Sequence, residues 1–194
     1  MYKMIFKLVI ALISQPAKTW KELVVDMEKE ETESGKGYEK FLSNYLYPFI
    51  GLLTIAAFLS ICTRQEFDIE QALKNSIVTL VSSFGGFYLG AYFFNEVWQG
   101  IFKQPKNLKL CQLFVGFSSA LMFTLNIVWL LLPDFFFLYI FILYTFYIVW
   151  EGSVSFMKVL QAQQMKFSMI ATLLIILTPK LIEFILVILM PGLR

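Results

Sequence analysis

Lys180 and Glu183 stand three residues apart in the otherwise apolar stretch 167–190, just after Pro179. On a helix, opposite charges at this spacing meet and partly neutralise each other. Pro179 has no amide hydrogen, so the carbonyl of Ile175 loses its usual donor and the same turn gains polarity. Charge in apolar surroundings is costly unless it is partnered. Such a pair therefore marks either a pathway for a polar solute or a pin between helices, with Lys180 snorkelling toward an interface. Depth arithmetic puts Asn126 in the same half of the chain's apolar layer and Asp134 at its edge. Asn126, Asp134, Lys180 and Glu183 thus form a candidate intramembrane polar site. A second polar group, Asn95, Glu96 and Glu151, falls at the opposite ends of the apolar runs, with Lys103, Lys109 or Lys158 as counter-ions.

Much other chemistry is excluded. There is no His, which removes imidazole bases and His-ligated metals, and the chain has only two Cys. No His-Glu-x-x-His motif, Gly-x-Ser-x-Gly elbow or Walker loop occurs. No Asp lies inside an apolar run, so paired-aspartate hydrolysis lacks its residues. The expectation is a protein without catalytic residues, cofactor or metal. A formal net charge of +2 gives no reason to expect nucleic acid.

The elements that carry these residues are hydrophobic helices. The chain is 58% hydrophobic and 15% charged, and its mean hydropathy of +0.70 lies outside the usual soluble range. The run 110–133 is uncharged. At 1.5 Å per residue it is long enough to cross a hydrocarbon core of ~30 Å. Comparable runs predict five spans, near 45–63, 75–97, 110–132, 135–156 and 167–190. The fold expected is all-α, a polytopic bundle of five transmembrane helices behind an amphipathic peripheral helix. Residues 1–44 form a cytoplasmic segment and linker, and 45–194 the membrane domain.

Within 1–44, Lys3 and Lys7 precede a short apolar run. No small-x-small cleavage pattern follows it, so the run reads as an interfacial stretch retained in the mature protein. Ser14 is expected to cap a helix with Pro16 in its first turn and Trp20, Leu23, Val24 and Met27 on one face. The acidic run from Glu28 to Gly37 reads as a mobile linker. Asp68 with Gln71 resembles a capping box opening the second span. The aromatic-rich stretch 135–147 reads as a lipid-facing surface.

Orientation follows from the basic residues. Lys103, Lys106, Lys109, Lys158 and Lys166 fall in loops on the amino-terminal side, against Arg64 and Lys74 on the other. The amino terminus is expected in the cytoplasm and the carboxyl terminus, with Arg194, outside. The membrane is the cytoplasmic one if the chain is prokaryotic. Cys62 and Cys111 then lie a membrane apart and form no disulfide.

Small residues give a further motif. Ser82, Gly86 and Gly90 recur every four residues and, with Gly116, offer a smooth face for close helix approach. That face serves either the packing of this chain or contact with a second copy or another membrane protein. Membrane lipids are partners in any case.

Four motifs follow one another along the chain. They are Pro16-Ala17-Lys18-Thr19-Trp20 ahead of the spans, Gly85-Gly86, Gly116-Phe117-Ser118-Ser119-Ala120, and Trp150-Glu151-Gly152-Ser153. Their order resembles the Yip1 family of five-span membrane proteins. Phe117, Ser118 and Leu121 stand where that family has Tyr, Ala and Pro. Its eukaryotic members are associated with vesicle trafficking and prenylated GTPases through a long cytosolic tail that has no counterpart here. The resemblance therefore implies the compact prokaryotic type, acting by membrane organisation or by partner and lipid contact. It transfers no residue-level site. The competing expectation is a small transporter or channel subunit built around Asn126, Lys180 and Glu183.

Overall fold

A computed structural model describes residues 2–62 and 68–190. Arg64 and Arg194 of the charge comparison lie outside the described residues. Within them the chain is helical, without strands. Its helices are α1 (Tyr2–Ser14), α2 (Pro16–Ser34), α3 (Gly37–Phe41), α4 (Tyr47–Cys62), α5 (Ile69–Gly100), α6 (Leu108–Ser118), α7 (Ala120–Leu131), α8 (Thr145–Ser155) and α9 (Gln161–Leu189). A π-helical turn, Leu42–Leu46, joins α3 to α4, and a 3₁₀ stretch, Pro133–Tyr144, leads into α8.

Four continuous helices are long and apolar enough to cross a membrane: Gly37–Cys62, Ile69–Gly100, Pro133–Ser155 and Gln161–Leu189. A fifth crossing is available if α6 and α7, bent by 42° where they meet, are one span. At the bend Ser119 Oγ donates to the Val115 carbonyl at 2.7 Å, a back-bond of the kind that often accompanies bent helices. Four to five such helices are compatible with a multi-pass membrane protein.

Several element boundaries depart from those expected. Glu28 to Ser34 is helical, not a linker, because Glu and Lys are good helix formers and Lys29 pairs with Glu33 at 3.9 Å along the face. The chain leaves α2 only at Gly35, whose φ of 61° is one glycine adopts without strain. Residues 37–44 already belong to the helix that becomes the first long span. Ser14 does not cap α2. Its hydroxyl back-bonds to Ile10 at the end of α1, and Gln15 takes the cap position with no side-chain bond. Asp68 does cap α5, its Oδ1 accepting from Glu70 N at 2.8 Å and Gln71 N at 3.4 Å.

One hydrophobic core runs through these elements. Ile5, Val9 and Leu12, spaced on one face of α1, join it. So does Trp20, which is fully buried between Phe114, Phe117 and Phe156. Trp20 Nε1 donates to the Ile148 carbonyl at 2.9 Å and ties α2 to α8. Gly152 makes this fit possible, since a Cβ there would overlap the indole. By contrast Pro133–Tyr144 buries no side chain, and Phe136, Ile140 and Phe141 are exposed along it.

Candidate functional site

The residues singled out from sequence divide between two places. The first is a small cavity of about 70 Å³ where α5, α7 and α9 meet. Lys180 Nζ donates to Glu183 Oε2 at 2.8 Å, so the pair is closed within α9. The two side chains are 38% and 43% exposed, and Lys180 Nζ also lies 5.7 Å from the centre of the Trp129 ring. Asn126 joins the lining, and its Oδ1 is buried without a hydrogen-bond partner among the described residues. Asp134 does not join. It is exposed at the start of the 3₁₀ stretch, because the chain turns away from α7 at Pro133.

Sequence reasoning missed the wall that α5 supplies, Asn75, Thr79, Ser82 and Ser83. Their polar spacing on one helix face was the available signal. Asn75 is already engaged, its Nδ2 donating to the Ala57 carbonyl at 2.9 Å and to Ser60 Oγ at 3.3 Å. Chemically the pocket offers one neutralised ion pair, hydroxyls and one open carbonyl oxygen. That set suits a few waters.

The expected cluster of Asn95, Glu96 and Glu151 separates into two parts. Asn95 is 5% exposed, and its Oδ1 accepts from the Asn107 amide at 3.0 Å and from the Cys111 thiol at 3.7 Å. Glu96 pairs with Lys106 at 2.6 Å, not with Lys103, Lys109 or Lys158. These contacts clamp the loop between α5 and α6. Glu151 lies half-buried on α8 and makes no ion pair among the described residues. Cys62 is exposed and Cys111 buried, and neither is in a disulfide.

The small-residue face packs within the chain. Gly86 receives the ring of Pro179, and Gly90 lies against Thr178. The neighbouring Gly85 meets Ile182, so α5 and α9 approach closely along this stripe. Gly116 accommodates the rings of Phe41 and Phe87. Ser82 turns to the polar cavity instead, with its hydroxyl bonded to the Thr79 carbonyl at 3.2 Å.

The second place is a larger cavity, about 570 Å³, which was not anticipated as a unit. It opens where α2, the start of α3, the loop before α6 and the loop after α8 converge. Glu28 and Glu31 line it from α2, and Lys109 and Lys158 from the other side of the chain's turn. Trp98, Leu113 and Phe156 supply apolar surface. Lys109 Nζ sits 5.8 Å from the centre of the Tyr38 ring, whose hydroxyl donates to Gln112 Oε1 at 2.7 Å. Each of these residues was visible in sequence, but their meeting depends on how Trp20 seats α2.

Comparison of this chain with protein-family models, with curated proteins and with solved structures gives no match.

Proposed function

We infer that this chain is an integral membrane protein of five spans, with α6 and α7 forming one bent span and α2 lying as an amphipathic helix at the cytoplasmic end. It acts without catalysis, by contact with lipid and with membrane partners, as the Yip1-like order of its motifs implies. The amino terminus is cytoplasmic and the carboxyl terminus outside. The observation that carries the reading is the 570 Å³ cavity at the end where Lys109, Lys158 and α2 come together. Its size falls in the range of small-molecule sites, and its lining mixes apolar surface with charged groups that form no ion pair among the described residues.

The test is native mass spectrometry and affinity capture of the full chain from mild detergent. The expected result is a retained lipid or an enriched membrane partner. Bare monomer with neither overturns the reading. A second reading, a small transporter, draws on the buried Asn126 Oδ1 in the other cavity, which has no hydrogen-bond partner among the described residues. It requires solute flux in proteoliposomes that falls with Lys180→Met and with Glu183→Gln. Absent or unchanged flux removes it.

A further inference from the structure

We propose that the larger cavity is a site for the headgroup of a zwitterionic phospholipid bearing a primary amine, a phosphoethanolamine ester. The proposal rests on reading this end of the molecule as a contact surface and names what it contacts.

The argument starts from the division of sign across the cavity. The charged side chains that α2 brings to it are both carboxylates, Glu28 and Glu31, while those from the start of α6 and the loop after α8 are both ammonium groups, Lys109 and Lys158. Glu31 is partly engaged, its Oε2 accepting from the Gly37 amide at 3.2 Å. Glu28 has no ion pair among the described residues. A purely anionic headgroup would satisfy the lysines and repel Glu28. A simple cation would do the reverse. A phosphate linked to an ammonium satisfies both walls at once, with charge-assisted hydrogen bonds at each end. An ammonium that carries hydrogens can donate to Glu28, which only accepts, whereas a quaternary amine has only charge and ring faces to hold it, and the Tyr38 face is already covered by Lys109. Trp98, Leu113 and Phe156 then line the way for the glycerol and first methylenes, where the chain passes from apolar helix to polar loop.

A second observation concerns Lys158 itself. Its φ of 54° is left-handed, a conformation that favours glycine. It ends the turn that follows α8, with Val159 N donating to the Ser153 carbonyl six residues back at 3.0 Å. Lys103, also left-handed with φ 56°, ends the turn after α5 in the same way, Gln104 N reaching the Trp98 carbonyl at 3.3 Å. At position 158 the backbone bears a conformation glycine would adopt freely, and in return an ammonium group lines the cavity.

The experiment is native mass spectrometry of the full chain in detergent, titrated with dioleoyl lipids carrying ethanolamine, choline or glycerol headgroups. The wild-type chain is expected to bind the ethanolamine lipid about tenfold more tightly than the other two, the effect of one charge-assisted contact. Glu28→Gln should erase its advantage over the glycerol lipid. Lys158→Gly should weaken phospholipid binding about tenfold while thermal unfolding stays at or above that of wild type. Equal binding of the three lipids by wild type overturns the proposal yet leaves the contact-surface reading in place, whereas no retained lipid or partner at all removes both. Unchanged selectivity in Glu28→Gln also overturns it. Competition by soluble phosphoethanolamine as strong as by the lipid would replace the membrane source with a free metabolite.

Discussion

The two ends of this helical array both hold lysine and glutamate, and they dispose of them differently. Around Pro179 the opposite charges are three residues apart on one helix and bond to each other at 2.8 Å beside a cavity of about 70 Å³. At the other end the charges that line the cavity of about 570 Å³ come from separate elements. Local pairing neutralises charge and closes space. Tertiary packing also makes pins, as Glu96 with Lys106 shows. What sets the larger cavity apart is that its four charges form no ion pair with one another among the described residues.

The strongest way to break the contrast is to unseat α2. Trp20 is fully buried, hydrogen-bonded to α8 and matched by Gly152. Trp20→Ala should cost about 3–5 kcal/mol, as for other buried aromatics truncated to alanine. Thermal unfolding in detergent measures the loss, and amide exchange locates it. Exchange should rise throughout α2 and at the start of α6, while α9 around Lys180 stays protected. Uniform loss of protection at both ends would show that they are one cooperative unit.

How much was readable beforehand follows the same division. Lys180 with Glu183 was legible because a helix fixes the geometry of residues three apart. The long apolar runs were legible because length and composition determine them. The larger cavity was not, since it hangs on a bond between Trp20 and Ile148, residues 128 positions apart. The π turn at Leu42–Leu46 and the bend at Ser119 were hidden for another reason. Apolar periodicity reports that a helix exists, and not where its hydrogen-bond ladder is locally rewired. Ser14 shows how two local options compete. The hydroxyl that suits an N-cap also suits a back-bond to the preceding turn, and the back-bond to Ile10 is the one formed.

A smaller effect sharpens the pin. Lys180→Met leaves Glu183 without its partner, and Glu183→Gln strands Lys180. The double variant leaves neither charge. Each single change should therefore destabilise more than the pair together, with a coupling of about 1 kcal/mol in a double-mutant cycle. The side chains are part-exposed, so a larger coupling is not expected. Additive effects would mean that the two charges act independently, and the closed pair would lose its role as a structural pin.

The smallest effect compares the two left-handed lysines with each other. Lys103 and Lys158 occupy equivalent places in equivalent helix-ending turns. Only Lys158 lines the larger cavity. Lys103→Gly removes the strain of a Cβ in that conformation and should stabilise the chain by about 1 kcal/mol, read as a raised unfolding temperature. Lipid binding should stay as in wild type, because no ammonium is withdrawn from the cavity. Lys158→Gly should show a comparable gain in stability together with lost binding. If the two substitutions weakened lipid binding equally, the lysines would be acting through the general attraction of a basic face for the membrane surface. The distinction between a charge that lines a cavity and one that merely sits near it would then collapse.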